Sequence, residues 1–225
     1  MAAKPHSALA PLYADDSLLV FNKPSGLLSV PGKTEPHCLS ALAQQQYADA
    51  LVVHRLDMAT SGLLVMARGI AAQRLLNASF AQRRVHKRYI AIVQGDCRGM
   101  PATAEEGGWQ RIELPIRVDW PRRPLRIIDP VDGQPSSTRW RCLAYDPART
   151  ASRLELEPLT GRSHQLRVHL QALGHPILGD TLYAPPAVAA ASPRLLLHAS
   201  ELGLQHPKTG AWLNFCSADG FGPEA

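Results

Sequence analysis

The chain has 225 residues, of which 45% are hydrophobic and 19% are charged, and its formal net charge is +5. This length suffices for one large or two small domains, and this composition excludes a globally disordered chain. The sequence contains no apolar run long enough to span a membrane, and the first residues lack the apolar core of a secretory signal. We therefore expect a cytoplasmic protein.

The cysteines support the same expectation, and the basic residues indicate which chemical groups the protein could contact. The four cysteines are far apart and form no C-x-x-C pair, which favours reduced thiols over disulfides or a zinc site. Only five of the 24 basic residues are lysine. The planar guanidinium of arginine suits contacts with phosphates and bases, although a genome rich in G and C would produce the same excess. The cysteines are Cys38, Cys97, Cys142 and Cys216.

The first half of the chain combines apolar runs with helical periodicity. Residues 1–12 form a polar lead-in, which we expect to be flexible. Apolar runs followed by turn residues predict buried strands. The apolar residues at Ile70, Ala71, Leu75, Ala78 and Phe80 predict a surface helix that buries this set. The predicted elements are strands at 18–21, 63–67 and 89–93 and helices at 40–47 and 70–82.

The second half is richer in strands. Glycines and polar residues predict a loop at 97–109, and four Pro and Gly residues predict an irregular excursion between 120 and 134. Leucines at helical spacing predict a helix with Ser163 as its N-cap and Gly174 just after its end. The predicted strands lie at 112–118, 137–144, 153–157, 195–199 and 212–215.

The order of these elements indicates the fold class. Strands outnumber helices and follow one another directly, which is typical of an α+β fold with a large, mixed but mostly antiparallel sheet flanked by helices. The sequence shows no internal repeat and no low-complexity linker. We expect one domain over residues 13–225.

The HRLD segment, residues 54–62 (HRLDMATSG), is the most chemically crowded part of the chain. It places a histidine, an arginine, a carboxylate and two hydroxyls between apolar runs at 51–53 and 63–67. Catalytic groups concentrate on loops held by rigid elements, and a carboxylate between two buried runs is costly without a partner. Asp57 is therefore a candidate catalytic or ion-paired residue.

Arg167 is a candidate partner for this carboxylate. A helix that begins near Ser163 presents Arg167 one turn in, on a face shared with His164. A guanidinium beside a carboxylate lowers the carboxyl pKa by roughly 1–3 units and keeps it an ionised nucleophile or base at neutral pH. On the residues alone, a structural ion pair is the favoured explanation of Asp57 and Arg167.

Other kinds of active site lack their signatures in this sequence. His164 and His169 are five positions apart and would not share a helix face, and no H-E-x-x-H motif or Cys/His grouping accompanies them. A G-x-S-x-G elbow and a glycine-rich nucleotide loop are also missing. We expect no metal and no cofactor.

Several segments between residues 15 and 217 resemble, in order, the motifs of the RluA-type pseudouridine synthases. The resemblance implies the pseudouridine synthase fold, with an active-site cleft across the sheet. It implies an enzyme that isomerises uridine to pseudouridine in structured RNA without a cofactor, and we expect no separate N-terminal RNA-binding domain. The segments are the NKPSG segment (residues 22–32), the HRLD segment, Lys87–Tyr89, GRSHQLRVH (161–169), GHPILGD (174–180) and Leu197–Ala199.

The resemblance also implies roles for individual residues. Asp57 is the catalytic carboxylate, and Arg167 pairs with it. Tyr89 stacks on the target base and is available for the proton at C5, whereas the pattern alone would make it a core aromatic. Arg55 fills the gap that a flipped uridine leaves in the RNA, whereas it would otherwise be a surface ion pair. Leu166 walls the uracil pocket.

Further residues are candidates for binding the RNA. His54 is expected to order its loop by hydrogen bonding. The basic cluster at 83–88 and the arginines at 122, 123 and 126 flank the proposed site segments, which favours phosphate contacts over a merely solvated face. The substrate-binding candidates are Arg55, His54, Leu166, Arg162, Lys87, Arg83 and Arg122.

The likeness is strongest to members that act on both ribosomal and transfer RNA. We therefore expect a 23S ribosomal RNA stem-loop and a tRNA anticodon stem-loop as partners, with no membrane and no obligatory protein partner, and a monomeric protein. A different ribosomal or transfer RNA target, a non-catalytic RNA chaperone of the same fold, and a hydrolase using Asp57 and His54 are the alternatives. The sequence leaves nucleophilic attack and a glycal route equally open.

Overall fold

The computed structural model describes residues 9–99 and 105–222. Residues 1–8 of the expected lead-in and residues 100–104 of the expected loop lie outside this range. The chain divides into two compact units: unit 1 holds the residues up to His86 together with Glu201–Ser217, and unit 2 holds Lys87–Ser200 with the residues from Ala218 onward. The expectation of one domain from residue 13 stays a prediction.

Strands and helices alternate irregularly along the chain. Unit 1 begins with β1 (Tyr13–Ala14), β2 (Leu18–Lys23), α1 (Leu39–Gln46), β3 (Ala50–Val52), β4 (Ser61–Arg68) and α2 (Gly69–Ala81). Then follow β5 (His86–Gln94), β6 (Gln110–Glu113), β7 (Ile116–Val118), β8 (Arg126–Ile128), β9 (Ser137–Asp146) and β10 (Ala151–Pro158). The last elements are α3 (Gln165–Ala172), α4 (Pro186–Ala190), β11 (Leu197–Gln205) and β12 (Trp212–Cys216).

Unit 1 is built on antiparallel strands with a helix packed on one face. β2 pairs with β1 on one side and with β4 on the other, β3 also pairs with β4, and β12 pairs with the second half of β11. Alternate residues of β2 and β4 point into one core, where Leu18, Val20, Leu63 and Val65 pack with Leu76 of α2. Burying each such side chain is worth about 1.5–3 kcal/mol, so this core fixes the strands on which the HRLD segment is mounted.

The helix α2 forms where it was predicted, but with a different buried face. The structure buries Ala72, Leu76 and Ser79, which lie at i, i+4 and i+7, and exposes Ile70 and Leu75. The predicted inner face was wrong at Ile70 and Leu75, while Phe80 does pack against the core. Several stripes of this helix carry apolar residues, and packing against the sheet selects one of them.

Unit 2 contains a second antiparallel set of strands and a separate two-stranded ribbon. The strand order is β5-β10-β9-β6, and the ribbon pairs β7 with β8. The predicted strand at 112–118 is interrupted at Pro115, which has no backbone N–H for the ladder. The segment predicted to be irregular, 120–134, contains the regular strand β8. The sequence pattern did not predict this strand because prolines lie on both sides of it. The α+β class is as expected.

The N-cap of helix α3 lies one residue later than predicted. Its N-cap is His164, in the left-handed conformation with φ of 59°, rather than Ser163. Its end is as predicted: Gly174 has φ of 84°, its N–H bonds to Gln171, and the next N–H bonds to Leu170, which is a Schellman motif. Among the residues that the structure describes, no helix has the length and apolar character of a membrane span.

Candidate active site

In unit 1, the loop between β3 and β4 carries the HRLD segment and is pinned through its main chain. The buried Ser29 hydroxyl donates to the carbonyl of Leu56 at 2.7 Å and accepts the N–H of the same residue at 3.1 Å. The carbonyl of Ala59 accepts the Ser25 hydroxyl at 2.7 Å, and the carbonyl of Met58 accepts the N–H of Gly26 at 2.8 Å. The NKPSG segment therefore clamps the residues on both sides of Asp57.

Asp57 itself is half-buried at the top of this clamped loop. Its carbonyl accepts the N–H of Thr60 at 3.1 Å, which closes a turn just after the carboxylate. Arg55, two residues earlier, is exposed, while Leu56 between them is buried. The alternation anchors the loop through Leu56 and presents Arg55 and Asp57 away from the core.

Lys23 is a buried cation beside Asp57 that the sequence reasoning did not single out. Its ammonium donates to the carbonyls of Pro24, Leu27 and Met58 at 3.0, 2.8 and 3.1 Å, which matches the three N–H bonds of a protonated lysine. Burial lowers the pKa of Lys23 to about 7, and the negative charge of Asp57 acts in the opposite direction. Asp57 thus has a positive neighbour within its own unit.

His54 has the loop-ordering contacts expected of it. Its Nε2 accepts the N–H of Val65 in β4 at 3.0 Å, and its ring stacks on Phe80 with centroids 4.5 Å apart. An accepting Nε2 places the proton of the neutral ring on Nδ1. These contacts support a structural role for His54 more than a direct contact with RNA.

In unit 2, Arg167 lies on α3 and is almost completely buried, with 4% of its surface exposed. Its Nε and one Nη donate to the two carboxylate oxygens of Asp180 at 2.7 and 2.6 Å. Asp180 is fully buried and also accepts the backbone N–H groups of Leu182 and Tyr183. The sequence reasoning missed this partner, although Asp180 closes the GHPILGD segment, and the pairing of Arg167 with Asp57 stays a prediction.

Polar side chains around Arg167 hold α3 in place. The buried amide of Gln165 accepts the Thr160 hydroxyl and the N–H of Arg162, and donates to Ser137 and Thr138. His169, also buried, contacts the Thr138 hydroxyl at 2.9 Å and the carbonyl of Leu114 at 2.9 Å. Burial lowers the pKa of His169, so it is a neutral anchor at neutral pH.

The structure places the remaining unit 2 candidates on β5 and α3 and in the β7–β8 turn. Tyr89 is half-buried in β5 opposite Leu156, so it is not the core aromatic that its pattern alone suggested. Leu166 is buried on α3, Arg162 is exposed just before this helix, and Lys87 is half-buried. Arg88 next to Lys87 is engaged by Glu157 at 3.3 Å, which balances its charge.

The two remaining basic candidates, Arg83 and Arg122, are exposed. Arg83 lies just after α2 with φ of 57°, a left-handed backbone conformation that favours glycine over residues with a side chain. Arg122 is exposed and donates to the buried Asp119 at 2.6 Å. Asp57, Arg55, His54 and Arg83 thus belong to unit 1, and the other candidates belong to unit 2.

Known proteins are similar to this chain over most of its length. Residues 17–172 match the family model described as RNA pseudouridylate synthase. The dual-specificity RNA pseudouridine synthase RluA of Escherichia coli K12 is 48% identical over 206 residues, which cover 91% of this chain and 90% of that protein. The chain belongs to the RNA pseudouridylate synthase family.

Other members of the family extend the match in sequence and in structure. The protein of the same description from Vibrio parahaemolyticus is 46% identical over 221 residues, covering 95% of this chain and 84% of that protein. The solved human RNA Pseudouridylate Synthase Domain Containing 1 superposes with a TM-score of 0.77 at 29% identity, covering 98% of this chain and 88% of that one. The fold is therefore the pseudouridine synthase fold, and the protein is an enzyme that isomerises uridine to pseudouridine in RNA.

Membership in this family gives the missed residues a context. Lys23, Ser29 and Asp180 all lie in segments that resemble family motifs, and each makes the contacts that hold Asp57 or Arg167 in place. Lys23 ends an apolar run, where a charge is usually exposed, and its buried position follows only from the three carbonyls that converge on it. A sequence pattern does not show such convergence.

Proposed function

We propose that this pseudouridylate synthase modifies a uridine in a 23S ribosomal RNA stem-loop and a uridine in a tRNA anticodon stem-loop. Support comes from the dual-specificity description of the E. coli and Vibrio relatives, to which this chain is 48% and 46% identical over most of its length. We propose that it acts as a monomer in the cytoplasm.

The reaction defines what the site must do. The bond between C1′ and N1 breaks, a bond between C1′ and C5 forms, C5 loses a proton, and N1 ends protonated. No electrons are exchanged and no group is added, so a carboxylate and a pocket that retains the detached uracil suffice. The uracil must turn before C5 faces C1′.

Asp57 is the proposed catalytic carboxylate, and the observation that supports it best is the clamp around it. Main-chain bonds to Leu56, Met58 and Ala59 fix the loop, and Lys23 supplies a nearby positive charge. A preorganised carboxylate can attack C1′, or take the proton from C2′ and generate a glycal, without first reordering its loop. Both routes require Asp57 in its ionised form.

Arg55 and Tyr89 are the proposed residues that handle the base. A uridine within a stem-loop must leave its stack before its glycosidic bond is reachable. Arg55 is exposed on the same clamped loop, so its guanidinium can stack in the gap that the uridine leaves. Tyr89 is half-buried on β5, and we assign it stacking on the uracil and the proton at C5, with Leu166 as a wall of the pocket.

Arg167 is the proposed partner of the catalytic carboxylate, held in place by Asp180. Its bidentate pair with a fully buried aspartate fixes the plane of the guanidinium. Arg83, Arg122, Arg162 and Lys87 are proposed phosphate contacts, since Arg83, Arg122 and Arg162 are exposed and Lys87 is half-buried.

Release of tritium from RNA labelled at uracil C5 tests this proposal. The wild-type protein should release the label from both stem-loops and not from an unrelated stem-loop of equal length. Asp57→Asn should reduce tritium release by at least about 10³-fold and leave RNA affinity unchanged, since it removes only the reacting carboxylate. Asp16→Asn, a change of the same chemistry at an exposed position of unit 1, is the matched control.

Each other outcome contradicts a stated part. Release from one stem-loop alone overturns dual specificity. Binding of both RNAs without release by the wild type overturns these substrates and favours the chaperone alternative. Release retained by Asp57→Asn overturns the assignment of the carboxylate.

A further inference from the structure

The ribbon of β7 and β8 carries a rigid, basic turn, which we name the Trp120 hairpin (residues 116–128). It contains four arginines and one aspartate. The aspartate, Asp119, is buried, and its carboxylate accepts Arg122 Nε at 2.6 Å. Its N–H bonds to the carbonyl of Leu125, and its own carbonyl accepts the N–H of Arg122. Pro121 and Pro124 restrict the backbone further, so the turn loses little entropy when it binds a ligand.

This hairpin is mounted on the helix that carries Arg167. The N–H of Arg126 donates to the Tyr183 hydroxyl at 2.9 Å, and that hydroxyl contacts His164 Nδ1 at 2.6 Å. Ile116 packs with Val168 of α3 and with Tyr183 in one buried cluster. A ligand held by the hairpin is therefore held in a fixed position relative to α3.

Trp120 stands at the tip of this rigid turn with 62% of its surface exposed. The guanidinium of Arg123 lies over its ring, 3.5 Å from the centroid. Trp109 and Trp140 are buried, with 5% and 2% exposed. An exposed indole gives the fold little burial energy, and here it is combined with a preorganised loop and a cation on its ring.

We propose that Trp120 is a stacking platform for one unpaired base of the RNA substrate, with Arg122 and Arg123 on the neighbouring phosphates. The proposal rests on the proposed function insofar as the ligand is the same RNA. Indole rings stack on any base, and arginines beside them neutralise phosphates. Because stacking does not read base identity, such a contact serves two RNAs of different sequence.

Substitution of Trp120, compared with Trp212, tests the platform. Trp212 is 53% exposed in β12 of unit 1, and its indole N–H donates to Asn214. Trp120→Ala should raise KM for both stem-loops by between about fivefold and about a hundredfold, the value of one stacked base, with kcat changed by less than about twofold. Trp120→Phe should restore most of the affinity, and Trp212→Ala should resemble the wild type. A thermal melt of each variant shows that it is folded.

RNA lacking single bases identifies the partner of Trp120. For the stacked nucleotide, an abasic substitution and Trp120→Ala should weaken binding by no more together than either does alone. In a Trp212→Phe background, addition of RNA should quench the exposed tryptophan emission, and the RNA abasic at that position should not.

Two results overturn the platform. In the first, Trp120→Ala binds both RNAs as tightly as Trp212→Ala does, which would assign the exposed indole to a protein partner or to no partner. In the second, every abasic position is additive with Trp120→Ala. Affinity and quenching do not depend on catalysis, so a wild type that binds RNA but releases no tritium contradicts the proposed function and leaves this test valid.

Discussion

Unit 1 and unit 2 hold their candidate catalytic charges in opposite ways. In unit 1, hydrogen bonds fix the main chain of the HRLD segment at Leu56, Met58 and Ala59, while the carboxylate of Asp57 stays half-buried. In unit 2, the candidate side chain itself is fixed, because the Nε and one Nη of Arg167 donate to the two carboxylate oxygens of the buried Asp180.

This difference is consistent with the proposed roles of Asp57 as the reacting group and Arg167 as its supporting partner. A carboxylate on a clamped loop can exchange its contacts during a reaction without loss of the fold. A buried guanidinium cannot lose its counter-charge without a large cost. Changes at Asp57 should therefore affect catalysis and spare stability, whereas changes at the Arg167–Asp180 pair should affect both.

Removal of the Asp180 carboxylate should produce the largest effect on stability. Asp180→Ala removes the fully buried carboxylate that binds two nitrogens of the buried Arg167 guanidinium, so we expect a loss of about 3–5 kcal/mol in the free energy of unfolding. Urea unfolding monitored by circular dichroism measures it. Asp57→Asn is the matched change in unit 1, with an expected loss below about 1 kcal/mol. Equal losses in the two variants would contradict the distinction between the units.

The stability of unit 1 should rise with pH because of Lys23. Its pKa is lowered from 10.5 to about 7 by burial, so between these values the unfolded chain binds more protons than the folded chain. The cost of burying the ammonium is fully present below pH 7 and disappears as the pH rises towards 10.5. The wild type should therefore gain stability relative to Lys23→Met with a slope that approaches about 1.4 kcal/mol per pH unit.

Urea unfolding at intervals from pH 7 to pH 10 measures this slope. Lys33→Met, at an exposed position of the same unit, should keep a constant difference from the wild type. If the difference in stability between the wild type and Lys23→Met also stays constant with pH, the three carbonyls around the ammonium restore the ordinary pKa of Lys23.

The clamp on the HRLD segment should respond to loss of the Ser29 hydroxyl. Ser29→Ala leaves the N–H and the carbonyl of Leu56 without their partner in a buried position, which costs about 1–3 kcal/mol. Tritium release should fall as well, because the loop that carries Asp57 loosens. Ser25→Ala removes one bond at a half-buried position and should cost less. If Ser29→Ala keeps full activity, the clamp does not position Asp57.

The sequence predicted local features better than long-range pairs. Turn residues and apolar runs act over a few positions, and they predicted the end of α3 at Gly174 and the strands β2 and β4. The Arg167–Asp180 pair joins residues 13 positions apart across a loop, so no periodicity reveals it. The buried face of α2 was also beyond the pattern, because only packing against β2 and β4 chooses Leu76 over Leu75.

The candidate site divides in the same way. Asp57 stood out because a carboxylate lies between two apolar runs, and the structure places it on a clamped loop as that position required. Lys23 did not stand out, since a lysine at the end of a strand is usually exposed, and its burial depends on carbonyls from residues 24, 27 and 58. The sequence thus singled out the proposed catalytic carboxylate but not the residues that surround it.

The C-terminal ends of α2 and α3 also differ between the two units, and the expected effect on stability is smaller. Both helices close with a Schellman motif, in which the residue after the C-cap is left-handed: Gly174 in unit 2 and Arg83 in unit 1. An arginine in this conformation costs roughly 1 kcal/mol relative to glycine. A contact between the guanidinium of Arg83 and an RNA phosphate would offset this cost in the complex.

Arg83→Gly should therefore stabilise the protein by up to about 1 kcal/mol while it weakens RNA binding and lowers the salt dependence of binding by about one charge. Arg83→Ala removes the same charge without relief of the backbone, so it should bind as weakly as Arg83→Gly but melt at a lower temperature. Filter binding at several salt concentrations and thermal melts measure both effects. If Arg83→Gly binds RNA with the salt dependence of the wild type, the strained arginine lies outside the RNA footprint, and unit 1 would then bind RNA through the HRLD segment without it.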